Sequence, residues 1–366
     1  MRAAIAASLY ATALAAPPTQ VQLHPSAPNA GELSVDFVGA APAPGSCNFG
    51  ARGLGATVAT TQFNYPNIGT LHQAVLDFGR FGLLAGDVAW YACSADGGST
   101  FSANTSVVPI TSKPPRSAIF GDFGLQNDVV MAALAADTDA FEFVHHVGDF
   151  AYDLEEQQSS VGNKFQELAS TSYAAKKPVS TVPGNHESCG GCPAIPGQPD
   201  SRGNFSEYRA RFASVEAGAG KRSGSGSSIF YSFDLGLTHY ISFSAEAYTY
   251  RSGAELLANQ LAFMTSDLAK VDRKVTPWVV ALVHKDWNME GEAYNAFYPI
   301  LDAGKVDLLF CGHIQCVGRL WGRRRRRQGR GEGRAFLHPR ETHPNTHTPP
   351  APPTPLPAPA ATTVRA

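Results

Sequence analysis

The stretch FEFVHHV, Phe141 to Val147, runs directly into Gly148-Asp149-Phe150-Ala151-Tyr152. An apolar run of strand length that stops at a Gly-Asp pair reads as a buried strand ending in a sharp turn. The pattern recurs along the chain. SAIF leads into Gly121-Asp122-Phe123-Gly124, PVSTVP into Gly184-Asn185-His186-Glu187, TPWVVALV into His284, and VDLLFC into Gly312-His313. Taken alone, each is an ordinary turn or a polar residue after a strand. Together they place oxygen and imidazole donors at five successive strand ends. In an open α/β sheet the ligand crevice lies beyond the carboxyl ends of the strands. Five such ends can therefore bring Asp122, Asp149, Tyr152, Asn185, His284 and His313 to one place.

Outward from this core, the region from Arg116 alternates apolar strands with helical stretches, with helices predicted at 125–138, 155–175, 254–272 and 290–304. That alternation argues for an α/β domain. IFYSFDLGLTHYISFS, residues 229–244, reads as a hairpin turning near Leu235-Gly236. From Pro17 to Pro115 the pattern differs. LSVDFVG, TLHQAVLDF and DVAWYACSA are short strands separated by Gly, Pro and Asn, which predicts a β-sandwich. Lys113-Pro114-Pro115 reads as the linker between the two. A length of 366 residues fits two domains of about 100–200 residues each.

The two ends of the chain carry other signals. Residues 1–16 hold Arg2, a small-residue apolar stretch and Ala13-Leu14-Ala15, the form of a secretory signal and its cleavage site, or of an Ala-rich terminus. Six cysteines and two sequons, Asn104-Thr105-Ser106 and Asn204-Phe205-Ser206, fit a secreted or vacuolar glycoprotein. Cys189-Gly190-Gly191-Cys192 reads as a small disulfide loop, because no second pair has the spacing of a zinc half-site. No apolar run reaches the roughly 20 residues of a membrane span. Residues 319–366 carry 10 Lys and Arg against 2 Asp and Glu, so the rest holds 19 basic against 29 acidic residues. That tail has neither helical nor strand period and is rich in Pro, so it reads as disordered. Its run Arg323–Arg327 could attract polyanions. Without a folded context it reads as a solvated tail, not a specific nucleic-acid site.

Carboxylate and imidazole donors suit iron, zinc or manganese, and one carboxylate can bridge two cations. Two metals about 3.5–4 Å apart clamp the attacking and leaving oxygens of a phosphoryl displacement. In order, GDFG, GDFAY, GNHE, the strand-ending His284 and GHIQ resemble the five sequence blocks of the purple acid phosphatases, in the calcineurin-like metallophosphoesterase superfamily. The resemblance covers roughly residues 17–318. It implies a fibronectin-III-like β-sandwich over 17–115, then a metallophosphoesterase domain of αββα form over 116–318 whose C-terminal part is incomplete. It implies an acid phosphatase that hydrolyses phosphate monoesters at a dinuclear centre, with a hydroxide held on the metals as nucleophile. Asp122 and Tyr152 would bind Fe(III), Asp149 would bridge, and Asn185, His284 and His313 would hold a divalent ion: Zn, Fe or Mn. His186 would bond the phosphate and assist the leaving group.

Three departures from the family pattern stand out. Gln315 takes the place of a histidine that binds the ferric ion in the family. The residues after His284, KDWNMEGE, lack the extra histidines of plant members. The resemblance stops near Leu320, where the arginines begin. Gln315 therefore raises an alternative: an impaired homologue that keeps the fold as a phosphate- or protein-binding module.

An amide oxygen is a poorer donor to a transition metal than imidazole. Loss of an outer-shell partner alone costs about 10–100-fold in metal affinity or activity, so loss of a direct ligand costs at least that. Gln315→His should raise iron occupancy, deepen the tyrosinate absorption band and speed hydrolysis of p-nitrophenyl phosphate. No change in any of the three, in this chain and in one extended by a family-like C-terminal segment, would show that position 315 does not face the metals.

Overall fold

The computed structural model describes residues 16–51, 55–83, 87–107, 115–198, 205–249, 254–285 and 291–313. All of them lie in the first of the chain's two units, residues 1–318. Residues 1–15, Lys113, Pro114, Asn204, Gln315 and the tail from 319 onward fall outside the described residues.

Among the described residues, eight strands form the N-terminal sandwich: β1 (Thr19–Ala27), β2 (Glu32–Gly39), β3 (Ser46–Gly50), β4 (Ala56–Ala59), β5 (Thr61–Tyr65), β6 (Gly69–Asp77), β7 (Ala89–Ser94) and β8 (Thr105–Val107). They make two antiparallel sheets, ordered β1-β2-β6-β5 and β4-β3-β7-β8. Leu33, Val35 and Phe37 alternate into the core between the sheets, beside Leu23, Phe49, Leu76 and Tyr91. The Cys47–Cys93 disulfide joins the neighbouring strands β3 and β7.

The polar positions between those apolar ones are buried as well. Ser34 and Asp36 of β2 and His24 of β1 are at most 3% exposed, because that face of the sheet rests on the second domain. Ser214 donates to Asp36 through its backbone N (3.0 Å) and its Oγ (2.7 Å), and His24 Nδ1 donates to the Val179 carbonyl at 2.7 Å. Arg211 spans the same junction, reaching Gln20 Oε1 at 3.1 Å and Glu207 at 2.7 Å. Buried polar groups need such partners, since each one left unmade costs about 1–3 kcal/mol.

The second domain is built on two facing sheets. The first orders β13 (Val179–Thr181), β11 (Phe143–His146) and β9 (Ser117–Phe120), all parallel. Beyond their ends lies the two-residue pair β10 (Phe123–Gly124) and β12 (Phe150–Ala151). The second sheet orders β14 (Tyr231–Leu235), β15 (Thr238–Ser242), β16 (Trp278–Leu282) and β17 (Leu308–Phe310). Its first pair is the predicted hairpin, turning at Gly236 with φ 58°; the rest are parallel. The sheets meet through aromatic rings: Phe143 lies 5.6 Å from Phe233, and His145 lies 4.5 Å from Tyr240. Met264 and Leu268 of helix Ala254–Lys270 join the same core, as do Phe297 and Leu301 of helix Gly291–Ala303.

One helix differs from its expected span. The stretch predicted as a helix over 155–175 becomes helical at Ser160–Ala169 and widens to a π-turn over Ser170–Ala174. Gln157, Gln158 and Ser159 adopt φ of 52°, 58° and 62°, so the right-handed helix cannot start before them.

His145 is fully buried, with Nδ1 2.7 Å from Ser180 Oγ, and burial pushes its pKa down to about 3. The folded state thus holds it neutral where the unfolded chain would bind a proton near pH 6.5. This contribution to stability is complete above that pH and is lost as pH falls toward 3, reaching about 2 kcal/mol by pH 5. Thermal melts between pH 7.5 and 5 should show the loss, and His145→Asn, which cannot titrate, should show a shallower one. Equal slopes for the two proteins would refute the assignment.

Candidate metal centre

The parallel ladder continues one step past the strands and then breaks. Val147 N donates to Phe120 O (2.8 Å), Val283 N to Phe310 O (3.1 Å), Asp122 N to Gly148 O (3.1 Å) and Gly312 N to His284 O (2.8 Å). There the backbone turns left-handed, with φ of 60° at Asp122, 56° at Asp149, 52° at Tyr152 and 70° at His313. Each such non-glycine conformation costs on the order of 1–3 kcal/mol and persists only where surrounding structure enforces it. Four of the six residues predicted to converge carry it.

The glycines before them are required by crowding. A Cβ at Gly184 would stand 2.2 Å from Asp149 Oδ1, one at Gly148 2.5 Å from His284 Nδ1, and one at Gly312 2.3 Å from Asp122 Oδ2. Gly148 also has φ 92°, a conformation that side chains disfavour.

Into this space the strand ends deliver the donors. His284 is fully buried; its Nδ1 lies 2.8 Å from the Val147 carbonyl, which can only accept, so Nδ1 carries a proton. Its Nε2 lies 3.1 Å from Asn185 Oδ1 and 3.2 Å from Asp149 Oδ1. Ligand atoms of Asp149, His284 and His313 all fall within 4.8 Å of one another. The His284 and His313 rings meet edge to face at 5.4 Å. The carboxylate of Asp122 takes the His313 N–H on both oxygens, at 2.9 Å each.

This donor set calls for positive charge. Two carboxylates, an amide oxygen and an imidazole nitrogen converge with few protons to share. Burial alone would lower the pKa of His284, yet the Asp149 carboxylate raises it to about 9. Burial also raises the pKa of Asp122. A cation among these atoms satisfies the same demand without a proton, so the residues present fit a metal such as iron, zinc or manganese.

The rim holds further groups. His186 is partly exposed; its Nδ1 pairs with Asp153 Oδ1 at 2.9 Å, and its Nε2 is 3.9 Å from Asp149 Oδ2. The Tyr152 ring meets His186 edge to face at 5.0 Å and lies against Gly124. Sequence reading missed two participants. Asp153 was legible only as the polar residue after Tyr152. Glu187 was legible as the acid three residues past a turn glycine, the spacing of a capping box. Its carboxylate accepts the N–H groups of Asp149 (2.9 Å), Phe150 (2.9 Å) and Gly184 (2.7 Å). Burial pushes the pKa of Glu187 up to about 8 while those donors favour the charged form. Elsewhere, Glu155, Cys189 and Cys192 also cluster, but the two cysteines form a disulfide and leave no thiolates to bind metal. Asn104 is exposed, immediately before β8.

Known proteins resemble this chain to differing degrees. The calcineurin-like phosphoesterase family model matches residues 115–316. Human acid phosphatase type 7 is 37% identical over 176 residues, covering 47% of this chain and 35% of its own length. Purple acid phosphatase 23 of Arabidopsis thaliana is 29% identical over 294 residues, covering 70% of this chain and 59% of its own. The chain thus spans between about a third and three fifths of these curated relatives. The solved purple acid phosphatase PPD1 from yellow lupin seeds (Lupinus luteus) aligns with TM-score 0.60 at 18% identity, over 81% of this chain and 58% of that one. That likeness is one of fold.

Gly184 has φ −97°, which any residue can adopt, so a substitution there acts through crowding alone. Gly184→Ala should drive Asp149 aside and cost about 1–3 kcal/mol in urea unfolding. Gly190→Ala, whose Cβ would meet nothing within 4 Å, should stay within about 0.5 kcal/mol of the parent. Equal stabilities would show that the Gly184 turn is not packed against Asp149.

Proposed function

The chain belongs to the calcineurin-like phosphoesterase family, and from that premise we propose that it is an acid phosphatase of the purple type, hydrolysing phosphate monoesters at a dinuclear metal centre. The observation that carries this reading is the grouping of Asp149, His284 and His313 past the ends of β11, β16 and β17. Asp122 and Tyr152 would hold Fe(III), with Gln315 in the place of the family's histidine. Asp149 would bridge, and Asn185, His284 and His313 would hold a divalent zinc, iron or manganese ion. When bound, the metal pair supplies Lewis acidity toward the phosphate oxygens and a water nucleophile active below neutral pH.

The chain's own side chains do the rest. The Val147 carbonyl fixes the His284 tautomer, so that Nε2 faces the site. Asp153 orients His186 by its Nδ1, which turns Nε2 toward the centre. His186 would bond the phosphate there and pass a proton to the departing alkoxide. Its partial exposure supports that role, since a small substrate would have to reach it from solvent.

An oxidising, extracytosolic setting is part of the proposal: a secreted or vacuolar glycoprotein with a signal at residues 1–16 and glycans at Asn104 and Asn204. The disulfides Cys47–Cys93 and Cys189–Cys192 support it. Among the described residues no helix is long and apolar enough to cross a membrane. The domain limits 17–115 and 116–318 and a tail from 319 belong to the same reading. Gln315 favours a second one, in which the centre is impaired and the fold serves as a phosphate-binding module.

The purified protein, reconstituted with iron and zinc, should hold two metals per chain and hydrolyse p-nitrophenyl phosphate. Asp149→Asn should lower both metal content and rate, by about 10–100-fold or more in rate. Metal without turnover would favour the second reading. No bound metal after reconstitution, or a fully active Asp149→Asn variant, would overturn the first.

A further inference from the structure

Glu187 has no part in the chemistry above, yet it is one of the most constrained side chains of the centre. It is 2% exposed, and both its oxygens are taken by backbone N–H groups from two different loops. The successive amides of Asp149 and Phe150 point at it together, the concave nest of N–H groups that binds anions elsewhere in proteins. Here the anion is internal. The Gly184 amide, on the loop that carries Asn185, is the third donor. Asp149 completes an exchange, since its Oδ1 accepts the His186 N–H at 3.2 Å. The loop after β11 gives two amides to the Glu187 carboxylate, and the loop after β13 gives one amide to the Asp149 carboxylate.

We propose that Glu187 is the positioning residue that holds the bridging Asp149 and the neighbouring Asn185 in register for metal binding; this rests on the metal-centre reading above. The left-handed backbone at Asp149, φ 56°, needs an enforcing contact, and the carboxylate of Glu187 supplies it. The three N–H donors need an acceptor at both ends of the side chain, which the two oxygens of Glu187 offer and an amide does not. In Glu187→Gln one of the two ends becomes an NH2 group facing N–H donors, so at least one buried donor is left unpaired. Glu187→Asp keeps the acceptors but falls one methylene short, so it should restore the function in part.

The test uses the full chain in two arms. Hydrogen–deuterium exchange of the metal-free protein follows peptides across 147–151 and 183–187. In Glu187→Gln these amides should exchange at least about tenfold faster, while the sandwich strands keep parental rates. Dialysis of iron- and zinc-loaded protein against graded chelator, followed by elemental analysis, should show metal retained about 10–100-fold less tightly, with kcat on p-nitrophenyl phosphate falling more than KM rises. If Glu187→Gln does not fold, Glu187→Asp should give the same signs at smaller size. Unchanged exchange and unchanged metal retention in a folded variant would overturn the proposal. Parental protein that holds no metal would overturn the functional reading and the positioning role with it, while the exchange arm would still decide whether the clamp exists.

Discussion

The hydrogen bond from His284 Nδ1 to the Val147 carbonyl, 2.8 Å long, ties the two sheets of the second domain together at the level of the site. Val147 follows β11 in one sheet, and His284 follows β16 in the other. Because a carbonyl only accepts, this bond also fixes which imidazole nitrogen is left to face Asp149 and Asn185. The imidazole fills the space a side chain at Gly148 would need, so the glycine, the tautomer and the turn at Asp149 are parts of one constraint. Displacing any of them moves a group whose charge the others balance.

The rest of the fold holds those strand ends still. Stacked aromatic residues between the sheets set their spacing, and the N-terminal sandwich braces β13 through His24 on the Val179 carbonyl. Ser214, which donates to Asp36, and Arg211, which reaches Gln20, tie the region after the GNHE turn to the same sandwich. The sandwich face is polar yet buried, so it joins the second domain by hydrogen bonds of defined geometry and not by apolar contact alone. Such a junction fixes orientation, which a site built from several loops requires.

The parallel strands were legible because strands covered on both faces read as largely apolar runs: WVVALV is unbroken, and FEFVHHV is interrupted only by Glu142 and by two histidines that are themselves buried. The donors were legible because they stand immediately after those runs. Other features were hidden for physical reasons. The alternation in LSVDFVG is that of a strand with one polar face, and nothing local says that Asp36 of that face is buried against Ser214. The late start of helix Ser160–Ala169 follows from left-handed residues whose side chains, Gln and Ser, do not announce that conformation. Glu187 was hidden because its partners are backbone amides, 37 and 38 residues away for Phe150 and Asp149. Backbone donors leave no trace in residue type.

The proposed centre holds two cations among Asp122, Asp149, His284 and His313. A crystal structure of the iron- and zinc-reconstituted protein, with anomalous data collected at both absorption edges, tests it most directly. The prediction is two peaks about 3.5–4 Å apart with the Asp149 carboxylate between them, the iron on the Asp122 and Tyr152 side and the other metal beside Asn185, His284 and His313. Density with no anomalous peak among these side chains, or metal found only elsewhere on the chain, would contradict it.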